Sequence, residues 1–264
     1  MISILVTNYD YSYLLPLVMQ SYNRMTRPSC DVEMVIVDDS SDPEDSFEAF
    51  VKFGIYRIKP WYSVRAYSMP LSCSKMNVGR TINVAARQSK GNVLIMNHAD
   101  LLHLNKDTLK IIEDFHHSVH DPLGMYLLFP GFVDANTQGI GEVRSLTNTA
   151  GSSLPRRLFD ELGGFDEQLD GYGHEDADFY WRLHYGREIG GMTEWQEYTD
   201  KRLILMHLSL CAIGLKRSVY PNPHNDKIVN DNMASKRYKV NPSGWGGCKD
   251  LKEVLVWNPM KRTN

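Results

Sequence analysis

Cysteine is scarce in this chain. Its 264 residues include four cysteines, which are widely spaced and form no CxxC pair. Small disulfide scaffolds and structural zinc modules need more cysteines, or cysteines at closer spacing. The cysteine content therefore argues against both kinds of scaffold and is typical of a protein from a reducing compartment.

Long hydrophobic runs and a surplus of one charge are also missing. No stretch approaches the roughly 18 consecutive apolar residues of a membrane-spanning helix. Residues 1–6 are apolar but lack the basic flank and the length of a signal peptide. The net charge is −3 and no basic run occurs, so nucleic acid is not an expected partner. We expect a cytoplasmic protein without a transmembrane segment, and we leave peripheral contact with a membrane open.

The sequence does contain a regular alternation of strand and helix signals. Strands are predicted at 2–7, 32–37, 55–58, 93–96, 125–129, 131–133 and within 203–215, and helices at 13–24, 46–53, 75–89, 108–117, 158–162 and 177–184. Such alternation predicts an α/β fold with a mostly parallel sheet flanked by helices on both faces. Residues 137–141 suggest a turn, and the polar stretch 221–241 suggests a mobile loop or lid.

Polar side chains follow three of the predicted strands. They are those of Thr7, Tyr9, Asp38, Asp39, His98 and Asp100. In parallel sheets, ligands bind in the crevice beyond the carboxyl ends of the strands. We therefore expect these three strand ends to converge on one crevice.

Two of these strand ends carry carboxylates suited to a charged ligand. Asp38 and Asp39 could accept hydrogen bonds from a nucleobase or a ribose, or they could cap the next helix. Asp100 lies two residues after His98, a spacing that places two ligands near one divalent cation able to bridge phosphates. An imidazole ligand favours manganese over magnesium. The alternative for Asp100 is a surface turn with one solvated carboxylate.

A third cluster, GYGHED at residues 171–176, precedes a predicted helix. Its glycines permit close approach of a ligand to the backbone. Glu175 and Asp176 begin the helix, where the helix dipole favours a negative charge. A carboxylate that stays ionised there can act as a general base. An acidic first turn that only stabilises the helix would explain the two acids but not the GYGH that precedes them.

Taken together and in this order, the segments resemble the GT-A fold glycosyltransferases, in particular those of family 2. ISILVTNY at residues 2–9 is similar to their opening strand, and VDDSSD at 37–42 to their base-binding segment. NVGRTINVAA at 77–86 is similar to the helix before the metal strand, and HAD at 98–100 occupies the place of the DxD motif. GYGHED resembles the acceptor-side segment of galactosyl- and N-acetylgalactosaminyl-transferases. The resemblance covers roughly residues 1–210.

The resemblance implies a GT-A (Rossmann-like) fold in a single continuous domain, with a nucleotide-binding half at about 1–120 and an acceptor half at about 121–264 that ends in a polar C-terminal tail. It implies a metal-dependent hexosyltransferase of carbohydrate biosynthesis. Such an enzyme moves a sugar from a nucleotide diphosphate sugar, expected to be a UDP-sugar, to a hydroxyl of a glycan or another acceptor.

It also implies roles for individual residues. The base pocket would be formed by Thr7, Tyr9, Asp38 and Asp39, and the remaining donor contacts would come from Arg80 and His98. The metal ligands for Mn²⁺ (or Mg²⁺) would be Asp100 and His207. The catalytic pair would be Glu175 and Asp176. Asp176 would be the base and Glu175 would orient the acceptor. Tyr172, Trp195 and Trp245 could stack on sugars or belong to the core.

The pattern is broken at one point, because His98 replaces the first acid of the DxD motif. This change lowers the negative charge of the site. We expect an inverting enzyme. The alternatives are a retaining enzyme of the same fold and a catalytically silent carbohydrate-binding relative.

Overall fold

The computed structural model describes residues 1–73, 76–118, 149–171, 173–189, 196–208 and 222–259, together with three strands between 125 and 144. The described strands are β1 (Ile2–Asn8), β2 (Val32–Asp38), β3 (Ser63–Ser68), β4 (Val93–His98), β5 (Leu101–His103), β6 (Met125–Leu128), β7 (Phe132–Asn136), β8 (Gly139–Arg144), β9 (Ser153–Pro155), β10 (Gln196–Thr199), β11 (Leu205–Leu208) and β12 (Lys252–Trp257). The described α-helices are α1 (Leu15–Asn23), α2 (Phe47–Ile58), α3 (Val78–Gln88), α4 (Thr108–Ser118), α5 (Arg156–Leu162), α6 (Glu175–Glu188) and α7 (Pro223–Ala234).

Eight of the described strands form the main sheet, in the order β10-β6-β9-β4-β1-β2-β3-β12. Its central part, β4-β1-β2-β3, is parallel throughout, whereas β9 and β12 pair with their neighbours in the antiparallel sense. The predicted mostly parallel α/β sheet is therefore confirmed.

Alternate residues of the central strands enter two different cores. Ile4 and Val6 face the core that α1 and α2 cover, while Leu5, between them, faces the core that α3, α5 and α6 cover. Successive side chains of a strand point to opposite faces, so an unbroken apolar run is what a sheet covered on both sides requires. The prediction of helices on both faces is confirmed.

A second sheet of four strands, β5-β11-β7-β8, lies beyond the end of β4. The chain leaves β4 at His98 and enters β5 at Leu101, and β11 pairs antiparallel with β5. This pairing brings a late part of the sequence to the short connection between β4 and β5.

Three local predictions, at 55–58, 137–141 and 221–241, are corrected by the structure. The predicted helix at 46–53 is present, but residues 55–58 continue it as part of α2 and do not form a strand, because Phe47, Val51 and Ile55 are buried at i, i+4 spacing. Residues 139–141 begin strand β8 rather than lying in a turn, and residues 137–138 lie outside the described part of the chain.

The predicted loop or lid at 221–241 contains helix α7. Asn222 caps this helix by accepting a hydrogen bond from the Asn225 backbone N–H at 3.3 Å, and Pro223 is its first residue. Its fully buried residues are polar, Asn225 and Asn232, so the helix lacks the apolar stripe that hydrophobic periodicity detects. Within the part of the chain that the structure describes, no helix is both long and apolar enough to cross a membrane.

Candidate active site

The predicted strand ends meet where the order of the strands reverses. From β1 the chain passes to β2 and β3 on one side, and later returns to β4 on the other side of β1. Such a switch point opens a crevice at the carboxyl ends of the strands. Thr7 of β1 lies opposite His98 of β4, and its Oγ1 is 2.6 Å from His98 Nδ1. On the other side of β1, Asn8 lies opposite Asp38 of β2.

The two aspartates at the end of β2 are both buried but differ in their contacts. Asp38 accepts hydrogen bonds from Asn8 Nδ2 at 2.7 Å and from the Ser41 hydroxyl and backbone N–H. Burial raises the pKa of the Asp38 carboxyl despite these bonds. Asp39 Oδ2 accepts a bond from the Asn77 backbone N–H at 2.5 Å, immediately before α3. Neither aspartate caps α2, because the N-cap residue of that helix is Ser46.

Tyr9 and Arg80 complete the predicted donor side. Burial raises the pKa of the Tyr9 phenol, and the charges of Asp10, Asp42 and Asp39 raise it further, so the phenol lies among these acids. The Arg80 guanidinium instead faces the C-terminal segment. Its Nη2 donates to the Gly247 carbonyl at 3.2 Å, and its Nε lies 3.7 Å from a Glu167 carboxylate oxygen.

The structure brings together the two predicted metal ligands, although 107 positions separate them in the sequence. The Leu208 backbone N–H donates to the Asp100 carbonyl at 2.8 Å, which fixes the end of β11 beside the β4–β5 connection. His207 Nε2 then lies 3.2 Å from Asp100 Oδ2. The Asp100 side chain is 8% exposed and the His207 side chain 26% exposed. Among the described residues, no cluster of three or more potential ligands from His, Cys, Asp and Glu is found.

Asp176 is linked by hydrogen bonds, through the segment that begins at Thr149, to β4, the strand that leads to Asp100. Its Oδ1 accepts hydrogen bonds from the Thr149 backbone N–H at 3.2 Å and from the Thr149 hydroxyl. The segment that follows Thr149 runs along β4, where Gly151 N–H donates to the Met96 carbonyl and Met96 N–H donates to the Ser152 carbonyl. The start of α6 is thereby connected to the carboxyl end of β4.

Glu175 has different surroundings from its neighbour. It is 8% exposed, and its Oε2 has no hydrogen-bond partner among the described residues. Burial, and after it the charge of Asp176, raises the pKa of the Glu175 carboxyl to about 7. The pair therefore combines a tethered carboxylate with a buried carboxyl that exchanges its proton near neutral pH.

The backbone before the acidic pair is held by α7. Gly171, Gly173 and His174 all have positive φ angles, of 74°, 104° and 72°. Asn225, which is fully buried, donates from Nδ2 to the Gly173 carbonyl at 2.8 Å and accepts at Oδ1 from the Asp170 N–H at 3.1 Å. Asp226 Oδ1 lies 2.7 Å from His174 Nε2. These positioning residues are not among those predicted from the sequence, although the Asn-Pro pair at 222–223 is a helix-start signal.

Of the three aromatic residues suggested for sugar stacking, Tyr172 and Trp195 lie outside the described residues. Trp245 packs edge-on against Phe159, with the ring centroids 5.2 Å apart, and so belongs to the core.

The two-sided parallel sheet, its switch point at β1 and the small sheet beyond β4 make up the GT-A fold of glycosyltransferases. No protein-family model matches the sequence, and no curated protein matches it either. The fold therefore rests on the structure and on its likeness to solved structures.

One similar structure is S. aureus TarS 1–349 in complex with UDP-GlcNAc, with a TM-score of 0.62 and 17% identity over 89% of this chain and 66% of that one. A second is GalNAc-T7 with UDP, GalNAc and Mn²⁺, with a TM-score of 0.64 and 16% identity over 88% of this chain and 47% of that one. A third is the mannosyltransferase PcManGT from Pyrobaculum calidifontis with GDP-Man and Mn²⁺, with a TM-score of 0.56 and 14% identity over 89% of this chain and 62% of that one. The chain thus spans about half to two thirds of the length of these proteins, and at such identities the likeness establishes the fold.

Proposed function

We propose that this chain is a glycosyltransferase that moves a sugar from a UDP-sugar to a hydroxyl of a glycan or another acceptor, with inversion at the anomeric carbon. The observation that carries the proposal is the tether from Asp176 through Thr149 to β4, the strand that ends at His98 and leads to Asp100. It connects a candidate base to a candidate diphosphate site. The similar structures contain UDP, UDP-GlcNAc or GDP-Man, which supports a nucleotide-sugar donor.

The donor nucleotide would lie across the ends of β2, β1 and β4. We assign base recognition to Asp39 with Tyr9, because Asp38 is engaged by Asn8 and Ser41 and holds the turn after β2 in place. Thr7 and His98 lie at the switch point, and we assign them to the ribose or the diphosphate. Arg80 could reach a phosphate only after leaving Gly247 and Glu167.

Asp100 and His207 fit a divalent cation. Two ligands about 2.1 Å from one ion and about 90° apart lie about 3 Å from each other. The observed separation of Asp100 Oδ2 and His207 Nε2 is 3.2 Å. We propose that Asp100 and His207 are the residues that would hold Mn²⁺ or Mg²⁺ at this site. The ion, when bound, supplies positive charge that neutralises the departing diphosphate.

This metal assignment predicts that Asp100→Asn and His207→Ala each weaken Mn²⁺ binding by about 10-fold or more, because each removes one of two protein ligands. Mn²⁺ affinity is measured by electron paramagnetic resonance in the presence of UDP. His224→Ala, an exposed histidine of α7, is the control and should bind as the unmodified protein does. Unchanged affinity in both ligand variants would contradict the assignment.

The acidic pair would perform the proton transfer. As the acceptor oxygen attacks the anomeric carbon and the bond from that carbon to the diphosphate breaks, Asp176 takes the hydroxyl proton. Thr149 holds Asp176 Oδ1, so we assign the base role to Oδ2. Glu175, buried beside it, would orient the acceptor through a hydrogen bond.

The test of the proposed function is Asp176→Asn. We expect transfer to fall by about 10²-fold to 10⁴-fold, because the amide cannot accept the proton. Binding of UDP, followed by calorimetry, should stay within about two-fold, since Asp176 lies on the acceptor side. Near-normal turnover in this variant would overturn the assignment, and Glu188→Gln at the other end of α6 is the control. The anomeric configuration of the product, read by NMR, separates inversion from retention.

A further inference from the structure

Two cysteines that are far apart in the sequence lie close to the same backbone carbonyl. Cys73 Sγ donates to the Lys249 carbonyl at 3.1 Å, and Cys248 Sγ lies 3.6 Å from the same oxygen. Both side chains are half-buried and pack against the core beneath α3. The two thiols therefore lie together on one small patch of the molecule.

The sheet topology explains why they meet. Strands β3 and β12 pair antiparallel, and Ser68 at the end of β3 lies opposite Lys252 at the start of β12. Cys73 follows β3 by five positions and Cys248 precedes β12 by four positions. The pairing of β3 with β12 therefore places both cysteines at the same end of these two strands, beyond the carboxyl end of β3.

The two segments that carry the thiols both contact site elements. The segment after β3 begins at Met69, whose N–H donates to the Asp38 carbonyl, and ends at Asn77, whose N–H donates to Asp39. The segment before β12 lies across α3, where Arg87 donates to the Trp245 carbonyl and Arg80 donates to the Gly247 carbonyl. A bond between the cysteines would therefore join two segments that both contact elements of the candidate site.

We propose that Cys73 and Cys248 form a redox-reactive pair that closes to an intramolecular disulfide by exchange with a small disulfide, and that the bond fastens the C-terminal segment to the segment after β3. This inference does not depend on the proposed transferase activity. The scattered cysteines of the sequence gave no sign of such a pair, because the contact is created by the β3–β12 pairing.

The chemistry is a two-step thiol–disulfide exchange. A thiolate of the pair attacks one sulfur of the small disulfide and releases the other as a small thiol; the second cysteine then attacks the mixed disulfide and releases the second small thiol. The two protein thiols are oxidised, the small disulfide is reduced, and the two protein S–H protons end on the two released thiols. Burial, and after it the hydrogen bond and charge of Cys73, raises the pKa of the Cys248 thiol to about 12. The first attack is therefore assigned to Cys73.

The test uses the full chain, reduced and then exposed to oxidised glutathione. After quenching, unfolding and alkylation, we expect the count of alkylated cysteines to fall from the four of the sequence by two, and peptide mapping to show one cross-link that joins Cys73 to Cys248. Dithiothreitol should restore all four reactive thiols. The oxidised chain should also melt at a higher temperature than the reduced chain, since the bond restricts the unfolded state.

Matched variants keep the test sharp. Cys30→Ser, at a half-buried cysteine away from the pair, should still form the cross-link, whereas Cys73→Ser and Cys248→Ser should form none and show no rise in melting temperature on oxidation. Glutathione adducts at Cys73 and Cys248 without a cross-link would overturn the proposal. So would a cross-link that pairs either residue with Cys30 or Cys211.

Discussion

Glu175 and Asp176 are neighbours in the sequence, but their surroundings separate their roles. Asp176 accepts hydrogen bonds from the backbone N–H and the hydroxyl of Thr149. Glu175 is buried, and the pKa of its carboxyl is raised to about 7. Two adjacent carboxyl groups with different environments can hold different protonation states at the same pH, which is what an acceptor site with one base and one hydrogen-bond donor requires.

The raised pKa of Glu175 predicts a loss of stability as pH rises. Between pH 4.5, its ordinary value, and about 7, the folded chain holds a proton on Glu175 that the unfolded chain has released. The folded state is therefore favoured at the acid end of this window, and the advantage disappears as pH rises through it. Glu175→Gln cannot ionise at this position. As pH rises from 4.5 to 8, its free energy of unfolding should therefore increase by up to about 3 kcal/mol relative to that of the unmodified chain.

Urea denaturation at several pH values measures this difference. Glu188→Gln, on the exposed last turn of α6, should leave the pH dependence unchanged. A Glu175→Gln variant whose free energy of unfolding follows that of the unmodified chain at every pH would contradict the burial of a protonated carboxyl at this position.

Individual site residues were predictable from the sequence to different degrees. The family resemblance predicts Asp100 and His207 as ligands of one metal ion, and in the structure Asp100 Oδ2 lies 3.2 Å from His207 Nε2. The contacts of Arg80 with Glu167 and Gly247 were not predictable, because they depend on a late segment crossing α3. The raised pKa of the Glu175 carboxyl was equally unpredictable, because burial is a property of the folded chain.

At the scale of elements, α7 supports the loop that contains Asp170 and Gly173 and precedes the acidic pair. Asn225→Ala removes both hydrogen bonds to the Asp170–Gly173 backbone and leaves a buried carbonyl without its donor. We expect a loss of about 2 kcal/mol in the free energy of unfolding, together with a fall in transfer rate larger than the fall in UDP affinity. Urea denaturation and steady-state kinetics measure these effects.

The control for α7 is Asn230→Ala, an exposed asparagine of the same helix. It carries the same change in helix propensity without the two buried bonds. If both variants unfold at the same urea concentration, Asn225 does not hold the loop.

The segment between α7 and β12 is a second element that supports the site, and its Gly246 packs closely against α3. Its φ is +65°, and a Cβ placed there would lie 2.5 Å from the Asn83 carbonyl oxygen in α3. Gly246→Ala should therefore destabilise the fold by about 1–3 kcal/mol through strain and displacement. Gly247→Ala, where a Cβ meets nothing within 4 Å, is the control for thermal melting. Equal melting temperatures would show that the segment can move away from α3 without cost.

For the whole molecule, ligand binding offers a direct test of the donor class. A ligand present at about 100 times its Kd stabilises the native state by about 2.7 kcal/mol, which corresponds to a rise in Tm of roughly 5 to 10 °C for a chain of this size. We expect UDP-sugars with Mn²⁺ to produce such a rise in a thermal-shift screen and GDP- and dTDP-sugars to produce a smaller one. Equal shifts for all three would contradict the choice of UDP.

The overall architecture was predictable because its central strands have a clear sequence signal. Strands β1, β2 and β4 are apolar runs that a sheet covered on both faces requires, and helices between them force a parallel arrangement. The edges of the sheet were missed. The sequence of β3, SVRAYS, alternates polar and apolar residues over too short a length to predict a strand. Strand β12 is partly exposed, so its sequence lacks the apolar run of a buried strand.

The pairing of β3 with β12 also bears on how the molecule is made. The parallel centre of the sheet consists of β1 to β4, and these strands are complete once about the first hundred residues have been synthesised. Strand β3 gains its outer neighbour, β12, only when residues 252–257 emerge from the ribosome. Until then the nascent chain presents an open strand edge, the kind of surface that recruits chaperones or other nascent chains. A ribosome that stalls before β12 would therefore hold a polypeptide in which most of the core has formed but β3 is still an unpaired edge strand.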